Sequence, residues 1–125
     1  MVILKTYNKK MLKAGRYLIV KKAAAERSSK GYFTFHENEP SLEGQYTGTN
    51  IVCNVGDKAL ITNVYKTEEG GVVLEFELNG VKATSYLMWL KQYFSLEIPH
   101  GENLIVGEPK LNKVNSHNVF KPINQ

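Results

Sequence analysis

The stretch 72–86, VVLEFELNGVKATSY, leaves the chain little conformational choice. Leu74, Phe76 and Leu78 alternate with Glu75 and Glu77, the two-residue period of a strand with one face buried. Asn79-Gly80 follows, a pair suited to the positive φ angles at both central positions of a type I′ turn. Pairing outward from that loop sets Leu78 opposite Val81, Glu77 opposite Lys82 and Phe76 opposite Ala83. One face of this hairpin is apolar and turns to a core. The other carries an opposite-charge pair, a small stabilising contribution on a solvated face.

Other segments have the same character. DKALITNVYK (57–66) reads as a strand closed by TEEGG, whose glycines permit a tight loop. GRYLIVKK (15–22) and GYFTFHE (31–37) are rich in β-branched and aromatic residues and are expected to pair through the linker AAAERSS. NIVCNV, FSLEI (94–98) and NLIVG (103–107) read as further short strands, punctuated by Pro40, Pro99 and Pro109. SYLMWLKQYF fits a strand end followed by one helical turn, and NKKMLKAG (8–15) fits either a short helix closed by Gly15 or a basic turn. Many short strands and little helix imply an all-β sandwich or a small barrel. With 125 residues the chain is expected to form a single domain: a basic N-terminal hairpin region 1–37, a barrel-like region 49–107 and a tail 108–125.

The stretch 56–98, GDKALITNVYKTEEGGVVLEFELNGVKATSYLMWLKQYFSLEI, resembles the SH3-like barrels of the KOW type. Those open with Gly-Asp, run through a strand, a glycine-bearing loop and a second strand, and then add a hairpin, a short helical turn and a closing strand. Where that family often has a glycine near the end of its first strand, this chain has Asn63-Val64. The resemblance implies a mostly β fold, a small SH3-like barrel or sandwich of antiparallel hairpins with at most one or two short helices. KOW-type domains occur in ribosomal proteins, transcription factors and small phage-encoded regulators, so it also implies association with nucleic acid.

No constellation for catalysis assembles. His36, His100 and His117 are far apart and lack a second ligand type at metal spacing. There is no glycine-rich phosphate loop, Gly-x-Ser-x-Gly elbow or His-Glu-x-x-His helix. HENE (36–39) reads as an acidic strand end, and Glu75 and Glu77 as a solvated strand face. The expectation is a protein that is not an enzyme, with no catalytic residues, cofactor or metal. The one cysteine, Cys53, excludes an internal disulfide framework and has no cation within three residues, which suits a buried structural thiol. Trp89 is expected to anchor the core. No apolar run exceeds five residues, so neither a signal peptide nor a membrane span is expected, and the cytoplasm is the expected compartment.

Charge is the remaining pointer. The net charge of +4 conceals a segregation. Residues 1–30 hold nine cations against Glu26 alone, a net of +8, residues 31–108 carry −7, and the rest carries +3. Two readings follow. In the first, the protein is a small nucleic-acid-binding accessory or regulator that contacts phosphates mainly through Lys21, Lys22, Arg27 and Lys30, helped by Lys9, Lys10, Lys13 and Arg16. Tyr17, Tyr32, Phe33 and Phe35 lie close in sequence, and a ring left outside beside Lys21 or Lys30 would stack on an unpaired base. In the second, the chain is a protein-binding module or inhibitor that occupies a host or defence protein. A continuous basic stripe on the folded surface favours the first reading, and interleaved charges favour the second.

Overall fold

A computed structural model describes residues 1–21, 32–40 and 46–115, with side chains described outside 32–52. Among these residues nine strands form: β1 (Val2–Leu4), β2 (Tyr17–Val20), β3 (Tyr32–Pro40), β4 (Tyr46–Val52), β5 (Lys58–Lys66), β6 (Val72–Leu78), β7 (Val81–Tyr86), β8 (Phe94–Ile98) and β9 (Lys110–Leu111). One 3-10 turn, Lys9–Met11, and one helical turn, α1 (Leu87–Leu90), accompany them. The sheet runs in the order β1-β8-β2-β5-β6-β7-β3-β4, and β9 lies parallel to the end of β5. All other pairings are antiparallel. The protein is therefore mostly β.

The hairpin forms in the expected register. Leu78 faces Val81, Glu77 faces Lys82 and Phe76 faces Ala83. Asn79 and Gly80 take φ angles of 51° and 82°, as a type I′ turn requires. Leu74, Phe76 and Leu78 are buried and share one cluster with Leu18, Val20, Ile61, Leu90, Phe94 and Leu96. The Phe76 ring lies 6.0 Å from that of Phe94, tilted by 60°, which joins the hairpin to β8 across the core. Burial pushes the Tyr7 phenol up in pKa, and its hydroxyl donates to the Phe94 carbonyl at 2.9 Å.

A bulge at Thr62 divides β5. Ile61 faces Phe76 and Asn63 faces Glu75, so Thr62 is the extra residue, and its hydroxyl donates to the Glu75 carbonyl at 3.0 Å. The shift keeps Val64 against the main core and turns Tyr65 to the opposite face, where it packs with Val73 and Tyr86. Lys110–Leu111 runs beside this part of β5, and the Asn112 amide donates to the Lys66 carbonyl at 2.7 Å.

Three expectations are corrected. First, β2 does not pair with β3. Its two edges are taken by β8 and β5, and β5, β6 and β7 separate it from β3. Leu18 and Val20 are buried against the main core, so β2 gains more from the sheet interior than from a local partner, and no hairpin region spans 1–37. Second, the sheet is not closed into a barrel, because β1 and β4 end it and do not pair. Third, residues 103–107 form no strand: their amides and carbonyls bond to Lys10 and Arg16 instead of to a ladder. The tail beyond 115 lies outside the described residues.

Replacing Phe76 by Ala is expected to lower unfolding free energy by about 3–5 kcal/mol in urea titration. Glu77→Ala, on the outer face, is expected to cost no more than about 1 kcal/mol. A one-residue slip of the hairpin would reverse that ranking.

Candidate nucleic-acid interface

The basic N-terminal residues fall into two groups that the fold treats differently. The first surrounds the 3-10 turn. Asn8 caps it, accepting from the Lys10 amide at 2.9 Å, and Leu12 anchors it in the core. Lys9, Lys10 and Lys13 project outward and each meets a carboxylate from the loop after β8. Lys9 and Lys10 lie 3.3 and 3.7 Å from the two carboxylate oxygens of Glu108, and Lys13 lies 2.8 Å from Glu102. The hydrogen bond from Lys13 holds the Glu102 carboxyl below its ordinary range. For Glu108 desolvation acts upward, but the Lys9 hydrogen bond and the charges of Lys9, Lys10 and Lys66 outweigh it, so this carboxyl is lowered too. Pairs this exposed stabilise the fold little. They do interleave the charges here.

Arg16 is the clearest departure from expectation. It is 1% exposed and makes no surface contact. Its Nη1 donates to the carbonyls of Met11 at 2.7 Å and Leu104 at 3.1 Å, and its Nη2 donates to the Asn103 carbonyl. The backbone is equally committed: the Arg16 carbonyl accepts from the Ile61 amide, and the Gly15 amide donates to the Ile61 carbonyl, both at 2.9 Å. Gly15 has a φ of 96°, which lets the chain turn from the 3-10 segment into β2. A planar guanidinium can serve three carbonyls at fixed angles. Arg16 is thus an internal clamp between the turn and the loop, and its buried head is unavailable to a phosphate.

The second group lies on the outer face of the sheet. Tyr17, Ile19 and Lys21 alternate with the buried Leu18 and Val20 and so face away from the core. Registers carry one row across six strands: Ile3 beside Glu97, Glu97 beside Tyr17, Tyr17 beside Leu60, Leu60 beside Glu77, Glu77 beside Lys82. Tyr17 remains 38% exposed. Lys58 places its ammonium 5.7 Å from the Tyr17 ring centre and 3.1 Å from the Glu97 carboxylate, which is itself buried. At the end of β2 the Lys21 ammonium donates to the Lys5 carbonyl at 2.9 Å. Desolvation, then the charge of Lys5, lowers the Lys21 pKa. Neither Lys5 nor Lys21 meets a carboxylate among the described residues.

Of the expected contacts, the structure therefore leaves Lys21 on this face, pairs Lys9, Lys10 and Lys13 elsewhere, and buries Arg16. Lys22, Arg27 and Lys30 lie outside the described residues, as do the side chains of Tyr32, Phe33 and Phe35. Lys5 and Lys58 went unnoticed as site residues. The strand alternation 17-19-21 marks the face in sequence, but only the pairing with β5 brings Lys58 to it.

Other chemistry is sparse. No group of three or more metal-ligating side chains occurs among the described residues, and none of their helices is long and apolar enough to cross a membrane. Burial, then the charge of Asp57, pushes the Cys53 thiol up to about 11. Trp89 packs at the core edge, its ring 4.8 Å from that of Tyr93. No protein-family model, curated protein or solved structure matches the chain.

Two outcomes test this geometry. Native Cys53 is expected to react slowly with a thiol reagent at neutral pH and quickly once denaturant is added. Arg16→Lys is expected to accelerate amide exchange at Val106 and Gly107, because one ammonium cannot hold three carbonyls, while amides of the β5–β6 ladder keep their protection.

Proposed function

We propose that the protein is a small non-enzymatic accessory that binds single-stranded nucleic acid across the outer face of β8, β2 and β5. Tyr17 stacks on an unpaired base, Lys5 and Lys21 meet phosphates, and Lys58 assists while shared with Glu97. One observation carries this reading: an exposed aromatic ring lies on the face where two neighbouring lysines have no carboxylate partner among the described residues. Stacking contributes about 1–3 kcal/mol per base and accepts any sequence. A sheet face offers no element that enters a major groove, which favours a single strand over a duplex. The resemblance of 56–98 to KOW-type domains points the same way, as does the basic segment that leads on from Lys21 to Lys30. A role as a small regulator, of the kind phages encode, fits a chain with no catalytic constellation.

A protein-binding role has separate support, since charges around the 3-10 turn are interleaved and not gathered into a stripe.

Fluorescence anisotropy with a labelled oligothymidylate tests the nucleic-acid reading. Two phosphate contacts to a single strand give a slope of log affinity on log salt near −0.7 × 2, or about −1.4. Tyr17→Ala is expected to weaken binding by roughly 5- to 150-fold, and Lys5→Glu with Lys21→Glu to remove the slope. Because the Lys21 pKa is lowered, its charge and its share of binding disappear as pH rises, before ordinary lysines lose theirs. Equal affinity in the parent and the Tyr17→Ala variant, or no binding by the parent at low salt, would overturn the assignment.

A further inference from the structure

Glu97, on the outer face of β8, is 7% exposed, although Ile3 and Tyr17 on either side of it in the same row are 53% and 38% exposed. A carboxylate set this deep loses hydration that a partner must replace. The replacement is half complete. Lys58 donates to Oε1 at 3.1 Å, and no described residue donates to the second oxygen. Among the described residues, the side-chain polar atoms that are buried without a partner are Arg16 Nε and Thr84 Oγ1, so the second Glu97 oxygen stays within reach of solvent. The ammonium that meets Oε1 also lies 5.7 Å from the centre of the Tyr17 ring. One aromatic platform is therefore bordered towards β8 by a carboxylate and an ammonium in contact. Towards β5 its neighbour in the row is Leu60, an aliphatic residue.

We infer, resting on the nucleic-acid reading of this same face, that Glu97 and Lys58 form a subsite that selects guanine as the base stacked on Tyr17. Two carboxylate oxygens accept and the ammonium beside them donates, so the border offers two acceptors and then a donor. A stacked base with its edge turned to β8 must present two donors and then an acceptor. Guanine does so with its 2-amino group, N1–H and O6, in that order. The first two donate to the Glu97 oxygens, and O6 accepts from Lys58. Adenine and cytosine supply one amino group beside a bare ring nitrogen, which leaves an oxygen of Glu97 unmatched. Thymine and uracil set a carbonyl against it. A phosphate cannot take the place of the base edge, because the carboxylate repels it and already shares the charge of Lys58. Phosphates therefore stay with Lys5 and Lys21, and the base is read between them and β5.

Anisotropy titrations with labelled oligothymidylates that carry one central dG, dA, dC or deoxyinosine, beside the all-thymidine strand, test this. A single guanine per strand keeps the strands from associating with one another. The parent is expected to bind the dG strand roughly 5- to 150-fold more tightly than the dA, dC and all-thymidine strands. Deoxyinosine, which lacks only the 2-amino group, is expected to fall between. That comparison uses the parent alone, so it does not depend on how a variant folds. Glu97→Gln places an amide N–H where an acceptor stood and releases Lys58 to a phosphate. It is expected to abolish the dG preference and to bind the all-thymidine strand more tightly than the parent does. Equal affinity of the parent for all five strands, deoxyinosine as good as guanine, or a dG preference that survives Glu97→Gln would each overturn the subsite. The stacking reading would still stand if the all-thymidine strand binds and Tyr17→Ala weakens it. No binding by the parent, or indifference to Tyr17→Ala, removes both.

Discussion

Burial of Phe76 is the constraint from which most of the architecture follows. Its ring packs against Phe94, and through that contact a locally formed hairpin captures a strand that arrives after α1. Strand alternation then propagates the choice. With Phe76 inside, Glu77 is outside. Glu77 faces Leu60, Leu60 faces Tyr17, Tyr17 faces Glu97 and Glu97 faces Ile3, so the whole row turns to the outer face. The exposure of Tyr17 beside Lys58 is therefore not a local accident of β2. It follows from a register set by an aromatic ring two strands away.

Arg16 illustrates how one residue type serves opposite ends. A guanidinium in a basic, glycine-bearing segment suggests a phosphate contact, and the chemistry that suits it to phosphate also suits it to carbonyl oxygens at fixed angles. The chain needs the second use. Leaving the strand ladder after Ile98, residues 99–109 have carbonyls with no sheet partner, and Arg16 satisfies those of Asn103 and Leu104 from one buried point. Desolvating the charge costs stability, and the three acceptors offset part of that cost. The result is a loop with definite shape where neither helix nor strand is present.

Local order was legible in the sequence, and long-range order was not. Asn79-Gly80 dictates its own turn, and the alternation on either side of it names the buried residues, so the β6–β7 hairpin and the strands at 58–66 and 94–98 can be read directly. The β2 pairing cannot. Leu18 and Val20 announce a buried face but not which strand lies alongside, and a neighbour distant in sequence replaced the nearby one. The bulge at Thr62 carries no glycine or proline to signal it, yet it decides that Tyr65 leaves the main core for the opposite cluster. NLIVG has strand composition without alternation. Its fate depends on Arg16 and Lys10, far earlier in the chain.

The same limit governs what segment charges can say about function. A sum over residues 1–30 treats nine cations as one feature, but tertiary structure sorts them by neighbours that the sum does not contain. Glu102 and Glu108, counted in the acidic stretch, fold back to meet Lys9, Lys10 and Lys13. Lys58, counted there too, stands over the Tyr17 ring and strengthens the face that Lys5 and Lys21 border. Coulomb energy between exposed charges fades over about 10 Å in moderate salt. An anionic strand approaching the folded protein therefore meets these local groupings and not the segment total. Around the 3-10 turn it finds lysines already engaged. On the outer face it finds Lys5 and Lys21 side by side, where desolvation, and then the Lys5 charge, lowers the Lys21 pKa, and where a phosphate bound as proposed would relieve the second of these.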